Sequence, residues 1–115
     1  MAELLGVARF TFFEGKAEDF KRLSAQCMEV VRTKDTGTLQ YEIFLDEEEA
    51  SAVVIERYRD SEALLEHFAN IGEELMAAMQ EVGTLEGETL GDPSPELRAM
   101  LNGPQPRLLS PFLSL

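Results

Sequence analysis

The sequence predicts a single α+β domain, and three observations predict it. Strand-like and helix-like apolar patterns follow one another in the order strand, helix, strand, strand, helix, strand. That order is the split βαβ arrangement of a ferredoxin-like fold, here a four-stranded antiparallel sheet with both helices on one face. A chain of 115 residues, 44% of them hydrophobic, is long and apolar enough to build one core without a disulfide or metal.

Each element has its own local reason. Leu4 to Phe13 is rich in Val, Phe and Thr and stops at Glu14-Gly15, as a strand does before a turn. From Lys16 to about Thr33 the residues Phe20, Leu23, Cys27, Val30 and Val31 recur at helical spacing, with Glu18, Lys21, Arg22 and Glu29 on the opposite face. Leu39–Leu45 and Ser51–Tyr58 are two strands joined by the acidic link Asp46–Glu49, and so short a link makes them an antiparallel hairpin. Asp60-Ser61 signals a helix N-terminus, with Glu62 in the first turn. The helix carries Leu64, Leu65, Phe68, Ile71, Leu75 and Met79 on its apolar side, with Gly72 as an expected break and Gly83 as its end. Thr84–Leu90 is the last strand of the domain, residues 1–92.

Residues 93–115 are expected to form a short helix and an apolar tail. Ser94-Pro95-Glu96 starts the helix, with proline at its first position. The tail from Pro104 carries Leu108, Leu109, Phe112, Leu113 and Leu115, a pattern that predicts docking on the domain or on a partner subunit. Val53, Val54 and Ile55 place apolar side chains on both faces of one strand, so the sheet needs two covers. The helices supply one, and a second copy of the chain in a homodimer is the expected other.

Composition narrows the classes of function. A net charge of −12, from 22 acids and 10 bases, repels phosphate backbones and anionic bilayers, so neither nucleic acid nor membrane is an expected partner. No apolar run approaches the roughly 20 residues that span a bilayer. Met1-Ala2-Glu3 is acidic and leads straight into strand-like sequence, which predicts no signal peptide, and the lone Cys27 has no internal disulfide partner. A cytoplasmic protein is the expectation, with a small aromatic or hydrophobic molecule as its ligand.

Two stretches resemble the antibiotic biosynthesis monooxygenase family. One is Val7-Ala8-Arg9-Phe10-Thr11-Phe12-Phe13-Glu14-Gly15-Lys16 with Phe20 and Gly37-Thr38-Leu39-Gln40-Tyr41-Glu42. The other is Val54-Ile55-Glu56-Arg57-Tyr58-Arg59-Asp60-Ser61-Glu62-Ala63-Leu64-Leu65-Glu66-His67. The resemblance spans Leu4 to Leu90 and implies the dimeric α+β barrel, with a pocket in each subunit between sheet and helices. It implies oxidation of a small aromatic or quinol-type substrate by O₂, without a cofactor. A non-catalytic dimeric barrel that binds a hydrophobic ligand, or only assembles, is the alternative; haem binding is a third use of the fold. Two departures stand out: the position of a second family histidine, five residues after His67, is Gly72, and the chain has no Trp.

His67, the only histidine, sits at the border of the second helix's apolar stripe and is the expected catalytic base, because an imidazole titrates near neutrality. Taking a phenolic proton makes an electron-rich anion that can reduce O₂ without metal or flavin. A boundary histidine bonded to a polar neighbour is the equal alternative. Tyr41 and Tyr58 on the hairpin, with Phe10, Phe12 and Phe68, are the expected substrate-binding residues, although each also reads as ordinary packing. Arg9, Arg57 and Arg59 could steady an anion but are more readily explained by salt bridges to Glu in so acidic a chain. One His and one Cys without spaced carboxylates predict no metal site.

Overall fold

A computed structural model describes residues 3–115; Met1 and Ala2, part of the stretch read as lacking a leader, lie outside the described residues. The elements are β1 (Leu4–Phe12), α1 (Ala17–Lys34), β2 (Thr38–Leu45), β3 (Ser51–Tyr58), α2 (Ser61–Gln80), β4 (Gly83–Leu90), α3 (Pro95–Met100) and β5 (Arg107–Leu109). The predicted order of the first six holds, and the fold is α+β and ferredoxin-like.

The sheet corrects one expectation. It has five strands in the order β2-β3-β1-β4-β5, it is mixed, and it does not close on itself. The first four strands pair antiparallel, with Val7 opposite both Ile55 and Glu88. β5 adds in parallel to the outer edge of β4, pairing Glu88 with Arg107 and Leu90 with Leu109. Three residues between prolines are too short to show a period, yet they satisfy an otherwise open strand edge. The Gln105 side chain extends that edge by accepting from the Gly87 N–H at 2.7 Å.

The pleat sorts the side chains. Leu4, Ala8, Phe10, Ala52, Val54, Glu56 and Tyr58 face the helices, while Leu5, Val7, Val53 and Ile55 face away. Two buried clusters result. Leu4, Tyr58, Ala63, Leu64, Leu97 and Leu101 form one, and Phe10, Phe20, Leu23, Ala52 and Val82 the other. Caps start both later helices as predicted: Asp60 accepts from the Ala63 N–H at 2.9 Å, and Ser94 from that of Leu97 at 3.2 Å. The tail is divided. Leu108 packs on the first cluster, whereas Phe112, Leu113 and Leu115 are exposed in the single chain.

Candidate functional site

Gly37 brings the turn after α1 close against α2. A Cβ on Gly37 would fall 2.5 Å from the Cβ of Ala63, so only glycine allows this approach. The turn delivers Asp35, the C-cap of α1, to the face of α2. There Asp35 Oδ2 lies 2.8 Å from His67 Nδ1 and accepts from Thr38 Oγ1 at 2.7 Å, while Oδ1 accepts from Asn70 Nδ2 at 2.8 Å. Next to it, Glu66 accepts from the backbone N–H of Thr36 at 2.9 Å.

The charge state of this cluster follows from its bonds. Burial opposes the Asp35 charge, but the donors Asn70, Thr38 and His67 hold its carboxyl below the ordinary value. A carboxylate can only accept, so Nδ1 of His67 carries a proton, and an acceptor on this ring can only be Nε2. The boundary histidine foreseen from sequence is therefore bonded to a polar neighbour, and it is also buried at 5% exposure.

On its other side His67 lines a cavity of about 170 Å³ between sheet and helices. Phe10, Phe20, Ile43, Val54, Phe68 and Met79 form its apolar wall. Polar groups are few: Ser24, Cys27, Tyr41, Glu56, His67 and Gln80. The Tyr41 ring lies 5.5 Å from that of His67, and the Tyr58 ring 5.4 Å. At Gly72 the backbone takes φ 82°, and this kink in α2 divides the helix before the segment that supplies Met76, Met79 and Gln80 to the cavity. A histidine at this position would be strained in this backbone conformation.

Glu56 is the group that sequence reasoning missed. It stands on the helix-facing side of β3 beside Tyr41 of β2 and accepts a short hydrogen bond from the Tyr58 hydroxyl. Burial raises its pKa despite that bond. Burial first, and then Glu56, push both tyrosine hydroxyls far above their usual range, which keeps them neutral donors. A second cavity of about 150 Å³ adjoins the first and shares Ala8, Glu56, Phe68 and Leu85 with it. The available signal was an acidic residue at an inward-facing position of an alternating strand.

The predicted residues therefore divide. His67, Phe10, Tyr41 and Phe68 line the main cavity. Tyr58 borders the adjoining one and supports Glu56. Phe12 lies outside both: two residues beyond Phe10, it packs on Phe20 with ring centroids 4.6 Å apart. Arg9 pairs with Glu88 at 2.6 Å and Arg59 with Asp60 at 3.4 Å, and neither lines the cavity. Among the described residues no group of three or more His, Cys, Asp or Glu side chains could hold a metal ion, and no helix is long and apolar enough to cross a membrane.

This fold with an interior cavity between sheet and helices defines a class, and comparison places the chain within it. The family described as antibiotic biosynthesis monooxygenase matches residues 5–82, and the chain belongs to that family. Among solved structures it is similar to MupZ from Pseudomonas fluorescens, with TM-score 0.84 and 22% identity over 98% of this chain and 88% of that one. It is also similar to SnoaB from Streptomyces nogalater, described as a cofactor-independent oxygenase, with TM-score 0.65 and 17% identity over 82% of this chain and 96% of that one. Rv0793 from Mycobacterium tuberculosis gives TM-score 0.67 and 22% identity over 81% and 97%. At these identities the likeness shows the fold. No curated protein matches.

Proposed function

We propose that the chain is a cofactor-independent monooxygenase that oxidises a small hydroxyaromatic or quinol-type substrate with O₂. One observation carries this reading: a buried histidine, held at Nδ1 by a carboxylate 2.8 Å away, lines an apolar cavity. Family membership and the description of SnoaB support it.

The chemistry follows from that geometry. A phenolic hydroxyl entering the cavity hydrogen-bonds to His67 Nε2 and transfers its proton. Asp35 stabilises the imidazolium that forms, and the apolar wall withholds the water that would otherwise solvate the anion. The aromatic anion gives one electron to O₂, and the radical pair combines as a peroxide at a ring carbon bearing hydrogen. Loss of water leaves a carbonyl: a phenol and O₂ become a quinone and water. Both electron pairs that reduce O₂ come from the substrate, so no separate reductant enters, and the proton on His67 leaves with the departing oxygen. Tyr41 supplies a hydrogen-bond donor beside the ring.

The same reading includes a homodimer joined through the face of the sheet that the helices leave bare. Leu5, Val7, Phe44, Val53 and Ile55 lie on that face, and Phe44 is 54% exposed in the single chain. A second copy also offers a surface for the exposed Phe112, Leu113 and Leu115.

The test is O₂ consumption with a panel of hydroxyaromatics and quinols. The wild-type protein should turn over at least one of them, and His67→Ala should lower that rate by about 10²–10⁴-fold, the usual contribution of a general base. A mutant that keeps the wild-type rate would show that His67 is structural. Tight binding without turnover across the panel would favour the non-catalytic barrel.

A further inference from the structure

Ser24 is a polar residue inside an apolar stripe. It lies on α1 between Phe20 and Cys27, is 7% exposed, and lines the same cavity as His67. Its Oγ has no hydrogen-bond partner. A helical serine usually bonds back to the carbonyl four residues earlier, and Ser24 does not. Buried hydroxyls without partners are rare because they lose water and gain nothing in return. One that faces a cavity has an evident outlet, which is whatever occupies the cavity.

Its position gives the second half of the argument. Ser24 reaches the cavity from α1, and His67 reaches it from α2. The wall that they share is largely apolar, with Phe10, Ile43, Val54 and Phe68.

We infer that Ser24 anchors the ligand, its hydroxyl bonding a second oxygen on a molecule whose first hydroxyl meets His67. The cavity then selects an aromatic that carries a second oxygen function besides the hydroxyl at His67. This inference rests on reading the cavity as a hydroxyaromatic site. Ser24 would act in binding and orientation, not in the proton transfer.

The experiment compares two probes by calorimetric titration: a naphthol, and a dihydroxynaphthalene that adds a second hydroxyl on the other ring. Wild-type protein should bind the diol about tenfold more tightly, the worth of one neutral hydrogen bond. Ser24→Ala should erase that preference, leave naphthol binding unchanged, and keep or raise the melting temperature, since it removes an unpartnered hydroxyl. His67→Ala should weaken both probes alike. If Ser24→Ala preserves the preference, weakens both probes equally, or fails to fold, the anchor is overturned. In that event a loss of both probes in His67→Ala leaves the reading of the cavity intact. If wild-type protein binds neither probe, or His67→Ala alters neither, the hydroxyaromatic reading fails and the anchor with it.

Discussion

Asp35 accepts the Nδ1 proton of His67 at 2.8 Å across 32 positions of sequence. The pair joins the C-cap of one helix to the body of the other. Three donors converge on this one carboxylate, so it both fixes the imidazole and ties the turn after α1 to α2.

Asp35→Asn should therefore impair catalysis more than substrate binding. An amide offers one oxygen where three donors meet, so one of them must face its NH₂ group. The expected outcome is a fall in kcat of about 10²-fold with little change in KM, on the scale of a mispositioned general base. Asp35→Ala leaves the buried donors unsatisfied and should also lower unfolding stability by about 1–3 kcal/mol. Steady-state kinetics and urea denaturation measure the two effects separately.

Two buried carboxyls should give opposite pH dependences. Glu56 has a folded pKa raised above its ordinary 4.5, first by burial. Above pH 4.5 the unfolded chain has lost that proton while the folded chain still holds it, so stability falls as pH rises toward the folded value. Asp35 has a folded pKa below its ordinary 3.8, so its contribution is present above pH 3.8 and is lost as pH falls through the folded value. Glu56→Gln should flatten the decline of stability above pH 4.5 and leave the acid limb in place. Urea denaturation from acid to neutral pH checks both signs.

Much of the fold was legible because it depends on local pattern. Period two and period 3.6 located the first six elements within a residue or two, and Asp60 and Ser94 were readable as caps. The glycine break at Gly72 was readable for the same reason. His67, Tyr41, Phe10 and Phe68 could be named because each belongs to an apolar face that must turn inward. Asp35 could not be named, because it depends on a neighbour far away in sequence, whereas Glu56 and Ser24 were polar residues on faces that turned out to be inward. A turn aspartate is unremarked until a histidine from another helix meets it. β5 was illegible because a three-residue strand borrows its register from β4.

Cys27 should be inert in the folded protein. Burial pushes its thiol up to about 11, and Glu56 adds to the shift. At pH 8 the native protein should react with iodoacetamide far more slowly than a free thiol, and addition of urea should restore the ordinary rate. Equal rates in the two conditions would show that the cavity wall at Cys27 opens readily.

Gly72→Ala should destabilise the fold by about 1–3 kcal/mol, since φ 82° and ψ 163° belong to a region that residues with a Cβ avoid. Space is not the cause, as a Cβ there would meet nothing within 4 Å. Denaturant midpoints measure the loss. A straightened α2 would also move Met76, Met79 and Gln80 relative to the cavity, so weaker ligand binding should accompany it.

The bare sheet face predicts a dimer that single substitutions can split. Val7 and Ile55 are cross-strand neighbours on that face, and the interface they join should bury more than about 1,000 Å² in total, the size expected of a specific contact. Light scattering at micromolar concentration should report two copies of the 12.9 kDa chain. Ile55→Asp puts a charge at the centre of the contact and should shift the population to monomer, while the helix-facing side of β3 and its Glu56 remain in place. The tail separates into two parts by the same measurement. Removing Ser110 to Leu115 takes away only residues exposed in the single chain, so any loss of dimer would show that Phe112, Leu113 and Leu115 contact the partner. Removing everything from Pro104 also deletes β5 and the Gln105 bond to Gly87, and should lower the melting temperature of the subunit itself. A wild-type monomer, or an Ile55→Asp variant that remains dimeric, would place the subunit contact elsewhere.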